Sequence, residues 1–112
     1  MIFGIAVVRY VNQTFRDMAT DREKLMEVLE AKYPKMFLRT TEEFSGSKGG
    51  IWSSGEDGLE AKDGFALFEY YAEDYEEKRY IIGVHKEIYN LLEEHGWYAE
   101  WNDPGTIMFW KI

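Results

Sequence analysis

The side chains best suited to chemistry are two imidazoles, His85 and His95, and two carboxylates set inside aromatic runs, Glu69 and Glu100. An imidazole titrates near neutrality, so His85 is a candidate lone general base toward Glu69 or Tyr71. The plainer alternative is a histidine at the edge of the core. A separation of ten residues on one helix turns His85 and His95 about 80° apart, without the one-face geometry of a His-x-x-x-His metal site. His95 is accounted for by the favourable interaction of an imidazole with the C-terminal end of a helix dipole.

If the strands carrying Glu69 and Glu100 are neighbours, the pair can acquire separated pKa values and serve as acid and base. The alternation Tyr98, Glu100, Asn102 equally allows a solvated sheet face. Glu56, Asp57, Glu60 and Asp63 offer hard oxygen ligands, yet the alternating ligands and central glycine of a calcium loop are missing, so no dedicated metal site is expected. Residues 45–50 lack the Gly-x-x-x-x-Gly-Lys spacing of a phosphate-binding loop and read as a flexible linker. Ser53 and Ser47 each lack one flanking glycine of a nucleophile elbow. With no cysteine in the chain, thiolate nucleophiles, disulfides and thiolate zinc sites are excluded. No catalytic residue and no cofactor is assigned.

Four indoles, Trp52, Trp97, Trp101 and Trp110, are more than a small core ordinarily needs. Some can present a binding surface. With Trp97 and Trp101 on one strand face and Trp52 folded over them from a loop, an aromatic cleft edged by Glu56 and Asp57 would result. Ordinary core packing is the alternative. The candidate ligand- or partner-binding residues are Trp52, Glu56, Asp57, Glu69, Tyr71, His85, Tyr98, Glu100 and Trp101.

The elements that must position these side chains can be read from spacing. Residues 2–8 are continuously apolar and β-branched, as in a buried strand. Met1, Gly4, Val8, Val11, Phe15 and Met18 also fit one amphipathic helix over residues 1–19, and both readings stay open. Thr20 and Glu23 have capping-box spacing ahead of Leu25, Val28 and Leu29, and Pro34 follows, which predicts a helix over 21–33. Residues 36–40 are a candidate short strand. Glycine and serine clusters predict a long loop over 42–64.

Residues 65–72 carry apolar side chains on both faces and read as a central strand. A charged connection at 74–79 follows. Ile81, Val84, Ile88, Leu91 and Leu92 repeat at helical spacing, with Gly96 at the position of a left-handed cap, which predicts a helix over 82–95. Aromatic runs at 97–101 and 106–112 flank Pro104 and Gly105, suited to a type II turn, so the chain is expected to end in a β-hairpin. The expected fold is a single α+β domain over residues 1–112 in the order β-α-β-loop-β-α-β-β. Two helices would pack on one face of a mainly antiparallel sheet of four or five strands.

At 112 residues, with 46% hydrophobic and 17% aromatic residues, the chain can fill one core and not two. The longest apolar run is far short of the ~18 residues that cross a bilayer, so no membrane association is expected and the protein is read as cytoplasmic. A net charge of -8 repels phosphate backbones, and the 13 Lys and Arg are scattered, so direct nucleic-acid binding is not expected. That acidity serves solubility or a basic partner.

Gly50-Ile51-Trp52-Ser53-Ser54-Gly55-Glu56-Asp57-Gly58, Phe68-Glu69-Tyr70-Tyr71, Gly83-Val84-His85-Lys86 and residues 96–108 resemble small bacterial and phage proteins without an assigned activity. The resemblance spans residues 50–112 and implies a compact α+β module, with no catalytic or ligand role for any residue. The leading expectation is a non-enzymatic acidic protein-interaction module. The alternatives are a ligand-binding domain or modest enzyme with a loop-covered aromatic and carboxylate pocket, and a structural subunit that self-associates.

Overall fold

The computed structural model describes residues 20–72 and 78–112. The strand or helix expected within residues 1–19 lies outside them, as does the 74–79 connection apart from Lys78 and Arg79. Helix α1 (Asp21–Lys32) starts as its capping signal predicts, with Thr20 Oγ1 accepting the Glu23 N–H at 3.1 Å. Asp21 and Glu23 complement the positive end of its dipole, and Leu25 and Leu29 are fully buried. There follow β1 (Arg39–Thr40), α2 (Thr41–Ser45), β2 (Ile51–Ser54), β3 (Tyr80–Ile81), β4 (Val84–His85), α3 (Lys86–Glu94), β5 (Trp97–Asp103) and β6 (Thr106–Lys111).

The main sheet is antiparallel in the order β1-β2-β6-β5, and β3 and β4 form a separate two-stranded ribbon. Ile51 faces Phe109, and Phe109 faces Ala99. The period of two then brings Trp97, Ala99, Ile107, Phe109 and Ile51 to one sheet face. Leu25 and Leu29 of α1 and Ile88 and Leu92 of α3 close over that face to make a single core. The expected α+β class, with helices on a mainly antiparallel sheet and a terminal hairpin, is the class observed.

Several elements differ from their sequence reading. The 42–64 loop contains α2 and β2, and β2 is an interior strand between β1 and β6. Its four residues sit between glycine clusters that mask the strand signal. Gly50 is not a linker residue: a Cβ there would stand 2.5 Å from the Trp110 ring and 2.9 Å from Thr41 Cγ2. Residues 45–50 are tied down as well, since Thr41 Oγ1 donates to Ser47 O at 2.8 Å and accepts the Gly50 N–H at 3.0 Å. Of the strand expected over 36–40, only Arg39 and Thr40 pair.

Residues 65–72 are not a central strand. They form isolated bridges at Ala66 and Phe68 and run beside β4, with the Glu69 N–H donating to Gly83 O and the His85 N–H to Leu67 O. Helix α3 begins four residues later than the apolar spacing suggests, because Ile82 and Gly83 take positive φ values of 47° and 76° and turn a hairpin. Two such residues between paired strands make the type I′ turn that matches strand twist. The β5–β6 loop is Pro104-Gly105, but Gly105 lacks the positive φ of the expected type II turn. A bulge between Trp101 and Asp103 interrupts the β5–β6 register beside that loop. Among the described residues, no helix is long and apolar enough to cross a membrane.

Because Trp110 occupies the space a side chain at position 50 would need, Gly50→Ala is expected to cost about 1–3 kcal/mol. Urea unfolding measures the loss. It shrinks in a Trp110→Phe background, where the shorter ring leaves room for the methyl group, and a double-mutant cycle reads the coupling.

Candidate functional site: an aromatic cleft rimmed by carboxylates

Trp101, near the end of β5, packs behind the site against two of its lining rings, Phe68 and Tyr70. Its ring lies against Gly55, where a Cβ would stand 2.6 Å from Trp101 Cζ3. Only glycine permits that approach. The indole Nε1–H donates to Ile82 O at 2.7 Å, pinning the β3–β4 turn to the hairpin. Phe68 and Tyr70 meet the indole edge-on at centroid distances of 6.2 and 5.1 Å, and Tyr71 meets Tyr70 at 5.0 Å. Aromatic pairs prefer these edge-to-face arrangements, so the rings form a connected wall.

Beside this wall is a cleft of about 260 Å³, bounded by Glu56, Asp57, Glu69, Tyr70, Tyr71 and Pro104 among others. Among the described residues no lysine, arginine or histidine lines it. Backbone turns hold the rim: Asp57 Oδ1 accepts the Leu59 N–H at 3.4 Å, Glu69 Oε1 accepts the Tyr71 N–H at 3.3 Å, and the Glu56 N–H donates to Ser54 Oγ at 3.2 Å. Tyr71 is 71% exposed. Exposed ring faces next to carboxylates attract organic cations by two routes, the ring quadrupole and the negative charge.

His85 is not placed to act as a free base. Its Nδ1 accepts the Glu87 N–H at 3.0 Å, capping α3, so the proton of the neutral ring resides on Nε2, which donates to Asp63 Oδ2 at 2.9 Å. Both nitrogens are occupied, the residue is buried, and its ring faces Asp63 rather than Glu69 or Tyr71. The Phe65 N–H and then the His85 ring hold the Asp63 carboxyl below the usual carboxylate range, and Arg79 Nε lies 3.6 Å away. The next acid along, Glu87, accepts the Tyr33 hydroxyl at 2.7 Å and the Lys62 N–H at 3.0 Å. Burial pushes the Glu87 carboxyl up, but these donors outweigh it and the net shift is downward. Tyr33 is pushed upward by burial and by the Glu87 bond.

Of the nine residues singled out from sequence, Glu56, Asp57, Glu69 and Tyr71 bound the cleft and Trp101 packs behind it. The others are elsewhere. Trp52 packs between Phe37, edge-on, and Phe44, tilted, at centroid distances of 5.0 and 4.8 Å and does not fold over Trp101. Tyr98 and Glu100 lie opposite Trp110 and Met108, on the sheet face turned away from α1 and α3. Glu69 and Glu100 are therefore not an acid–base pair. Trp97 is a core residue, 1% exposed, and not a cleft wall. His95 Nδ1 donates to Leu91 O at 2.9 Å in the last turn of α3. Among the described residues no group of three or more His, Asp or Glu is placed to hold a metal ion.

Sequence reasoning missed Tyr70, Phe68, Gly55 and Ile82. The available signals were the two-residue spacing of Ile82-Gly83 between β-prone pairs and Gly55 directly after a β-prone tetrapeptide. It also missed Asp63 as the partner of His85; the Asp63-Gly64 turn signal was there, but the pairing spans 22 residues. Fold and site together define an α+β domain bearing an acidic aromatic cleft. No family model, curated protein or solved structure matches the chain.

Two outcomes follow from this geometry. In Gly55→Ala the methyl group displaces the Trp101 indole, which is expected to shift tryptophan emission and to cost about 1–3 kcal/mol in urea unfolding. The second concerns acid. Asp63 has a folded-state pKa below its unfolded value of roughly 3.9, so its contribution is complete above that pH and disappears as pH falls through the folded value. The urea midpoint of the wild type should therefore decline below about pH 4. The decline should be shallower in Asp63→Asn.

Proposed function

We propose that this protein is a non-enzymatic interaction domain whose cleft binds a positively charged segment of a partner protein. The observation that carries this reading is the conjunction, in one cleft, of Glu56, Asp57 and Glu69 with the exposed rings of Tyr70 and Tyr71, and no cationic side chain among the described residues that line it. The described lining supplies no counter-charge to these carboxylates. The chain's net charge of -8 extends the same preference to long range, accelerating encounter with basic surfaces and opposing nucleic acid.

The side chains that would support an enzymatic reading are otherwise engaged. His85 uses both ring nitrogens in structural hydrogen bonds, and Ser53, fully buried, donates to Phe37 O at 2.7 Å. Neither is among the residues that line the cleft.

Titration with N-acetyl-argininamide, followed by amide and indole NMR signals, tests the proposal. Saturable shifts confined to Glu56, Asp57, Glu69, Tyr71 and the Trp101 indole are expected, weakening as salt is raised and diminished in Glu69→Gln. N-acetyl-citrullinamide, equal in length but uncharged, should produce none. Shifts scattered over the surface, or equal responses to both probes, would refute the reading.

A further inference from the structure

Ile82 is in the wrong place for its own stability. It is the first residue of the β3–β4 turn, at φ 47°, where a β-branched side chain is strained and where asparagine or glycine is ordinarily found. Among the described residues nothing repays that strain, because Ile82 is 63% exposed and absent from the core. Only its backbone is used, through Ile82 O as the acceptor for Trp101 Nε1, and any residue would supply that carbonyl.

The turn lies beside the cleft. Ile82 is joined to Trp101 by that hydrogen bond, Trp101 to Tyr70 by an edge-to-face contact at 5.1 Å, and Tyr70 lines the acidic cleft. Tyr70 and Tyr71 are 44% and 71% exposed. The turn that exposes Ile82 is thus next to the aromatic wall of the cleft, and it is tied to the acidic rim as well, since the Glu69 N–H donates to Gly83 O at 2.8 Å. Exposed apolar surface rimmed by charge marks a site of association.

We infer that Ile82 is the apolar anchor of the docking surface, and that the partner is a protein segment presenting an arginine or lysine to the cleft with an apolar side chain beside it to cover Ile82. This extends the interaction-domain reading above and rests on it. A second copy of the chain is the wrong occupant. Two copies would bring the same three carboxylates together on bodies that each carry a net charge of -8.

The test uses two capped peptides on the intact protein, one with arginine beside leucine and one with arginine beside glycine. The leucine peptide is expected to bind about tenfold more tightly, as burial of one aliphatic side chain implies. In Ile82→Asn the two affinities should become equal and the glycine peptide's affinity should stay at the wild-type value. The same variant should raise the urea midpoint, by about fivefold in the folding equilibrium, since asparagine tolerates positive φ. That gain also establishes that the variant is folded.

If the leucine advantage survives Ile82→Asn, or is missing from the wild type while both peptides bind, the anchor role is overturned and the cleft reading stands. Absence of binding by either peptide overturns both.

Discussion

The hydrogen bond from the Trp101 indole to Ile82 O joins two parts of the chain that share no strand pairing. On one side of it is the main sheet, in which β5 is fixed by β6; on the other is the β3–β4 ribbon, which leads into α3. The indole reaches that carbonyl because position 55 carries no side chain. Once seated, it offers one edge to Phe68 and Tyr70 and so orders the segment that bears Glu69 and Tyr71. A single ring therefore touches both the glycine that precedes Glu56 and Asp57 and the aromatic residues that flank Glu69.

How much of this could be read from residue order depends on the range over which each signal acts. The α1 cap, the left-handed Gly96 after α3 and the terminal hairpin are local, and all three occur where spacing places them. The apolar stripe of α3 was correct in phase but overran its start, because Val84 and Ile81 suit a strand as well as a helix and only the backbone of Ile82-Gly83 decides between them. Strand β2 was hidden because its stability comes from a neighbour on each side, a property that four residues do not express.

The site was legible as a composition and not as a constellation. Acidic residues beside aromatic ones pointed to Glu56, Asp57, Glu69, Tyr71 and Trp101, and these do assemble. The same rule also selected Trp52, Tyr98 and Glu100, which a strand places on the opposite face by parity alone. His85 was chosen for its chemistry, yet its partners turned out to be a backbone amide and a carboxylate 22 residues away. Strand register and long-range pairing are tertiary facts, and no spacing rule supplies them.

Glu87 shows how the helical layer is held to the connecting segments. Its carboxylate takes one proton donor from Tyr33, just beyond the end of α1, and another from the amide of Lys62. Helix, loop and helix terminus are thereby latched at one residue. Lys62 lies outside regular secondary structure, but its amide hydrogen meets solvent base only when the Glu87 carboxylate lets go. Its exchange with deuterated water is then slowed by a side chain of α3 and not set by the looseness of a loop alone.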